Sequence, residues 1–179
     1  MNSSSSRLSA VTSPKEGVGT GRSNLGDVQV IVTHANTDFD AFAAMLAARR
    51  LYPGAVIALS GSLNRNVRDF YRLHAEELEI AEPGRVDPGA VERLVVVETS
   101  HPARLGEFEA AARSPDVEVV VFDHHAGDEL DWVKPENVVR SEDGALTTTM
   151  VAVLAEREVE VRLGDKTIDW PAGSGDAGI

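Results

Sequence analysis

Val28-Gln29-Val30-Ile31-Val32-Thr33-His34-Ala35-Asn36-Thr37-Asp38-Phe39-Asp40-Ala41 joins a short β-branched run to a polar loop and the start of a helix. The run from Val28 to Thr33, preceded by Gly26, reads as a buried strand. After the loop His34 to Asp40, the segment Ala41 to Leu51 brings Phe42, Met45, Leu46 and Leu51 near one helical face, and Pro53-Gly54 ends it. Downstream the alternation repeats. Ala55 to Leu59 is a second strand that leaves through Ser60-Gly61-Ser62, and Val67 to Leu78 is an amphipathic helix. Arg93 to Val97 is a third strand, Ala103 to Arg113 a helix, and Val117 to Phe122 a fourth strand. Val138-Val139 is a weak fifth strand, followed by a helix from about Ala145 to Arg157. Strands alternating with helices are repeated βαβ units, so the chain reads as a doubly wound α/β domain with a parallel sheet covered on both faces.

Outside this core the pattern lapses. Residues 1–26 are rich in Ser, Thr and Gly with no apolar period, and read as a disordered tail. Leu8-Ser9-Ala10-Val11 is too short for the apolar core of a secretion signal, while a Ser-rich, acid-poor transit peptide shares the tail's composition. At the other end Val159 to Val161 can begin a strand. Gly164-Asp165-Lys166 and Pro171 to Ile179 carry no apolar face. The expected division is therefore a tail over 1–26, a domain over 27–161 and an unstructured segment over 162–179. A sheet of this kind normally continues, so the domain reads as incomplete at its C-terminal end, with an exposed sheet edge through which copies would self-associate.

The 179 residues suit one domain with a tail. The absence of cysteine removes disulfides, thiolate metal sites and cysteine nucleophiles, and leaves the cytoplasm as the default compartment. Lys and Arg number 17 against 29 Asp and Glu, a net charge of −12. Such a surface disfavours an unaided grip on long double-stranded nucleic acid and suits a site that meets phosphate through metal cations. No segment approaches the roughly 18 apolar residues of a membrane span, so no membrane partner is expected.

In open α/β sheets ligands bind beyond the carboxyl ends of the strands. Here the first strand ends at His34 with Asp38 and Asp40 close behind, the third in Glu98, and the fourth in Asp123-His124-His125. Oxygen and imidazole ligands without sulfur suit Mn²⁺, Fe²⁺ or Co²⁺, with Mg²⁺ less fond of histidine. Two such ions about 3.5–4 Å apart clamp a phosphate. Taken singly, Asp38 or Asp40 also suits a helix N-cap, and Glu98 a strand-end charge. Asp123-His124-His125, straight after Val-Val-Val-Phe, is harder to explain by packing. His74 and His101 lack carboxylate neighbours at ligand spacing and read as surface residues. Gly144-Ala145-Leu146-Thr147-Thr148-Thr149 opens the last helix and reads either as a phosphate-facing turn, with Thr147 and Thr148 as donors, or as a plain helix cap. Arg65 and Arg68 reach phosphate in one reading and form a solvated helix face in the other.

These residues carry a resemblance. His34-Ala35-Asn36-Thr37-Asp38-Phe39-Asp40-Ala41 resembles the first motif of the DHH phosphoesterase superfamily, and Asp123-His124-His125 its name-giving motif, each after a strand. More narrowly, Val30 to about Val161 resembles the N-terminal DHH domain of long bacterial chains. Those chains continue into CBS domains and a CCA-adding or poly(A)-polymerase-like nucleotidyltransferase. Ser62-Leu63-Asn64-Arg65-Asn66-Val67-Arg68, Pro102-Ala103-Arg104-Leu105-Gly106 and the Gly144 to Thr149 turn support this narrower likeness.

The resemblance implies two Mn²⁺ ions, with Mg²⁺ or Co²⁺ as substitutes. His34 and Asp38 would hold one, Asp40 and His124 the other, and Glu98 would bridge them. His125 would orient or protonate the substrate phosphate, and Asp123 would fix the His124 tautomer. The implied reaction is in-line attack of metal-activated water on phosphorus, releasing a phosphomonoester and an alcohol from a small nucleotide, short oligonucleotide or RNA end. Two departures from the family pattern stand out. Glu98 replaces an aspartate, and Leu163-Gly164-Asp165-Lys166-Thr167-Ile168-Asp169 lacks the context of a further metal aspartate. They motivate the alternative of a shortened, non-catalytic module that binds metal or nucleotide. A phosphatase of the haloacid-dehalogenase type fits poorly, because its first aspartate belongs directly at the strand end and Thr33 to Thr37 intervene.

Overall fold

The computed structural model describes residues 28–82, 84–126, 130–157, 159, 161–163 and 166–168. The expected N-terminal tail, Asp165, Asp169 and residues 171–179 lie outside the described residues. Six strands, β1 (Gln29–Val32), β2 (Val56–Ala58), β3 (Ile80–Ala81), β4 (Arg93–Val97), β5 (Glu118–Asp123) and β6 (Val138–Arg140), form one sheet in the order β3-β2-β1-β4-β5-β6. Every neighbouring pair is parallel. The fold is α/β, as the alternation of elements predicts.

Side-chain alternation assigns the two faces. Ile31, Ile57, Val95, Val97, Val120 and Phe122 pack with Phe42, Met45 and Met150 from α1 (Phe39–Leu51) and α4 (Leu146–Glu156). Val30, Val32, Leu94, Val96, Val119 and Val121 pack on the opposite face with Leu105, Phe108 and Ala112. Strands buried on both sides read as unbroken apolar runs, which is why they were legible without alternation. Removing a large buried side chain such as Ile31 or Phe122 would cost about 2–5 kcal/mol.

Several elements differ from the sequence reading. The helix α2 (Arg65–Leu78) starts two residues early because Asn64 caps it, its Oδ1 accepting from Val67 N at 3.0 Å. The expected helix Ala103–Arg113 is broken into 3₁₀ turns over Pro102–Arg104 and Gly106–Phe108, followed by the four-residue α3 (Glu109–Ala112). Gly106 explains the break. Its φ is +56°, and an added Cβ would lie 2.3 Å from the Ser60 carbonyl oxygen. The backbone must therefore leave helical geometry to approach the end of the β2 loop. β3 has two residues, too few for any period to reveal.

Beyond α4, β7 (Val161–Leu163) and β8 (Lys166–Ile168) pair antiparallel as a separate two-stranded sheet. The absence of structure expected after Val161 is thus corrected for these residues. The missed signal was two short runs separated by Gly164-Asp165, a hairpin spacing. Among the described residues no helix is long and apolar enough to cross a membrane.

The strand order sets the position of any site. The chain leaves β1 toward β2 on one side and returns from β3 to β4 on the other. Loops at the carboxyl ends of β1 and β4 consequently diverge and open a crevice there.

Candidate metal centre

The loop after β1 is held by its neighbours through the backbone. Ala35 N donates to the Arg104 carbonyl at 3.1 Å, Thr37 N to Ser62 O at 2.9 Å, and Asn64 N to Thr37 O at 2.9 Å. Gly61 packs against Ala35 so closely that a Cβ there would come within 2.8 Å of the Ala35 Cβ. Thr33 Oγ1 donates to Val97 O at 2.9 Å, tying the ends of β1 and β4 together. His34 is buried at the top of β1 and donates from Nδ1 to the Ala35 carbonyl at 2.8 Å. That bond leaves Nε2 as the lone-pair nitrogen of the neutral ring, the form that binds metal. Asp38, exposed, caps α1 through Oδ1, which accepts from Ala41 N at 3.0 Å.

Asp40 faces the other way, toward α4. Its Oδ2 accepts from Leu146 N at 2.8 Å and its Oδ1 from Thr147 N at 2.9 Å, with the Thr147 hydroxyl donating as well. The anion at the start of α4 is therefore a carboxylate of the protein itself. Thr147, expected to meet substrate phosphate, is engaged by Asp40, whereas Thr148 is exposed. Burial alone would raise the Asp40 pKa. The hydrogen bonds from Thr147 and Leu146, with the nearby His124, outweigh it and hold the carboxyl below its usual range.

Glu98 stands at the centre. It follows β4 with φ of +63°, the left-handed region, a strain on the order of 1–3 kcal/mol for a residue other than glycine. Its backbone N donates to Phe122 O at 3.0 Å, which helps to hold that turn. The side chain is buried. Oε1 lies 2.9 Å from His124 Nε2 and 3.9 Å from His125 Nε2, while Oε2 has no partner. His124 Nε2 is also 3.8 Å from Asp40 Oδ2.

Burial, with the like charge of Asp40, pushes the Glu98 pKa up, partly offset by His124. The His124 pKa is also raised: burial opposes this, but the Asp143 carbonyl and Glu98 prevail. His124 makes both ring contacts as a donor only if the pair retains a proton, since Nδ1 already donates to Asp143 O at 2.9 Å. A divalent cation fits the place of that proton. Glu98, His124 and His125 offer ligand atoms within 4.8 Å of one another, and the orphaned Oε2 is an anionic donor with nothing else to satisfy it.

One expected role is corrected. Asp123, expected to fix the His124 tautomer, instead pairs through Oδ1 with His125 Nδ1 at 2.8 Å, and the His124 ring is oriented by the Asp143 carbonyl. The reason is geometric: adjacent residues at a strand end point to opposite sides, so Asp123 meets the residue two positions on. Asp143 is a neighbour of the candidate site that sequence reasoning missed. Its carboxylate also accepts from the buried Thr149 hydroxyl at 2.7 Å, so the turn before α4 presents a fixed carbonyl to the histidine. The only signal was its place beside Gly144.

Arg65 and Arg68 project from the first turns of α2, both exposed, with Arg65 loosely paired to Asp69 at 3.9 Å. Asp40, Glu98, Asp123, His124 and His125 are thus joined by direct contacts. His34 and Asp38 occupy the adjoining β1 loop.

A parallel sheet of order β3-β2-β1-β4-β5-β6, with carboxylates and imidazoles at its switch point, defines an α/β protein with a candidate divalent-metal site. Residues 29–170 match the DHH family, N-terminal domain, and the chain belongs to that phosphoesterase family. It is 37% identical over 142 residues to the A-adding tRNA nucleotidyltransferase of Geobacter sulfurreducens, covering 79% of this chain but 16% of that protein. The fold is shared with an exopolyphosphatase-related protein from Bacteroides fragilis, with a TM-score of 0.57 and 18% identity over 73% of this chain and 39% of that one. A putative family II inorganic pyrophosphatase from Methanococcus jannaschii aligns with a TM-score of 0.53 and 18% identity over 74% of this chain and 40% of that one.

Proposed function

We propose that this domain is a Mn²⁺-dependent phosphoesterase that hydrolyses a phosphodiester or phosphate bond of a small nucleotide, short oligonucleotide or RNA end. The observation that carries the proposal is Glu98, a buried carboxylate with an unpartnered oxygen, set among His124, His125 and Asp40. His34 through Nε2, Asp38, Asp40, Glu98 and His124 would hold the cations, which would supply Lewis acidity toward a phosphoryl oxygen and a nucleophile at neutral pH.

The remaining steps belong to the chain. Arg65 and Arg68 at the start of α2, with the exposed Thr148 hydroxyl, meet the outer phosphate oxygens. His125 presents Nε2 to the site because Asp123 holds Nδ1, the arrangement of a general acid with its orienting carboxylate. Its proton passes to the leaving oxygen as the phosphorus–oxygen bond breaks, leaving a phosphomonoester and an alcohol. The Geobacter relative is named for tRNA. That name favours a nucleotidic substrate over the inorganic polyphosphate and pyrophosphate for which the structural neighbours are named.

The test is release of nucleotide from a short oligonucleotide with and without Mn²⁺, using Asp40→Ala as control. Turnover that needs Mn²⁺ and vanishes in the variant is the expected result. A folded, metal-loaded protein that cleaves no such substrate rejects the proposal.

A further inference from the structure

Thr149 carries a buried hydroxyl inside α4, at a place where valine has the same shape. Taking a hydroxyl out of water costs free energy unless it is hydrogen-bonded. Inside a helix, a threonine hydroxyl commonly faces solvent or bonds the carbonyl four residues back. This one reaches out of the helix instead. Its Oγ1 donates to Asp143 Oδ2 at 2.7 Å and meets the Ser141 hydroxyl, and Ser141 Oγ accepts from Asp143 N at 3.4 Å.

Counting protons closes the network. A carboxylate only accepts, and each hydroxyl has one proton to give. With the Thr149 proton on Asp143, the Ser141 proton goes to Thr149 Oγ1, and Ser141 Oγ is left to accept from Asp143 N. The three residues form a ring of hydrogen bonds running in one direction, in which each bond polarises the next. The ring encloses the turn between β6 and α4. Ser141 N adds a long bond to Asp123 O at the end of β5, at 3.4 Å.

What the ring presents is a carbonyl. Asp143 O accepts from His124 Nδ1 at 2.9 Å, and that bond leaves Nε2 2.9 Å from Glu98 Oε1 and 3.8 Å from Asp40 Oδ2. Asp40 is itself held by the first turn of α4, through Leu146 N and Thr147 N. The start of α4 therefore orients both side chains read above as ligands of one ion. His34 and Asp38 take their bonds from Ala35 and Ala41, close to them in the chain.

We propose that Thr149 and Ser141 are positioning residues for His124: they fix the Asp143 carbonyl, and through it the direction of the imidazole. The inference rests on the metal-dependent phosphoesterase reading and deepens it, because it gives the two ion positions separate supports. The groups that orient a histidine ligand govern metal affinity along with the ligand itself.

The test separates orientation from turnover. Thr149→Val keeps the shape and removes the proton. By calorimetry the full chain should then bind one Mn²⁺ ion about tenfold more weakly and the other within about twofold of the unaltered chain, with Thr149→Ser restoring the affinity. In the metal-free chain, proton–nitrogen NMR should show a His124 Nδ1–H signal protected from exchange with water. That signal should broaden in Thr149→Val and return in Thr149→Ser. Ser141→Ala opens the ring at another bond, outside the core, and should act in the same direction. A lowered urea midpoint with both Mn²⁺ affinities and the Nδ1–H signal unchanged would mean that Thr149 serves packing alone. That outcome overturns the proposal, as does equal weakening of both ions or failure of Thr149→Ser to rescue. An Nδ1–H signal that depends on Thr149 in a chain that binds no Mn²⁺ and cleaves no phosphodiester would reject the phosphoesterase reading and leave the link to His124 standing. Mn²⁺-dependent cleavage with signal and affinities indifferent to Thr149 would do the reverse.

Discussion

The loop after β1 and the end of β5 contribute to one site but are held in different ways. Residues 34–38 are fixed by backbone hydrogen bonds to Arg104, Ser62 and Asn64 and by glycine-mediated close packing, none of which involves a charge. The end of β5 is fixed by side chains that all ionise: His125 on Asp123, and His124 between Glu98 and the Asp143 carbonyl. Neutral backbone bonds give a scaffold indifferent to what is bound, whereas an ionic cluster in partial burial depends on its proton or cation for balance. Asp40 links the two, anchored on the β1 side and bonded to the start of α4.

The sharpest way to break this contrast is Asp40→Ala. It removes the acceptor of two backbone N–H groups and the Thr147 hydroxyl as well as an anionic ligand, so activity should fall to background and stability by about 1–3 kcal/mol. Paired assays of turnover and urea unfolding check both halves. A variant that loses turnover while keeping full stability would show that the link to α4 carries no weight.

Gly106→Ala attacks the scaffold alone. A Cβ 2.3 Å from Ser60 O at φ +56° should cost about 2–4 kcal/mol in unfolding free energy. Activity lost in this variant should return under conditions that restore folding. His125→Asn probes the ionic end, where a general acid predicts a drop in turnover of about 10²–10⁴-fold with Mn²⁺ affinity nearly unchanged by calorimetry. A loss of Mn²⁺ binding comparable to that of His124→Ala would instead make His125 a ligand. The smallest effect is expected from Asn64→Ala, which removes the α2 cap for about 1 kcal/mol, read as a shifted urea midpoint at constant m-value.

The comparison also explains what was legible. His34, Asp38 and Asp40 lie within seven residues and Asp123-His124-His125 are contiguous, so both groups could be read as local strings after strands. Glu98 was legible because a charge ends a valine run. Pairings between these groups were not. Asp123 meets His125 rather than His124, and nothing local distinguishes the two until ring directions are known. Asp40 caps a helix that begins 106 residues later, so the choice between a phosphate turn and a plain cap for Thr147 had no answer in either segment alone. Helix Ala103–Arg113 failed for a similar reason: its breaking point, Gly106, is set by the Ser60 carbonyl on another loop.

By itself, the amino-acid sequence determined the α/β class, the parallel sheet and the family motifs, because hydrophobic period and strand-end polarity are properties of short windows. Only the tertiary structure decided which carboxylate serves which imidazole and that α4 is capped by Asp40. Those outcomes depend on distances between segments tens of residues apart, and a chain acquires such distances only when its crossovers close and its sheet assembles.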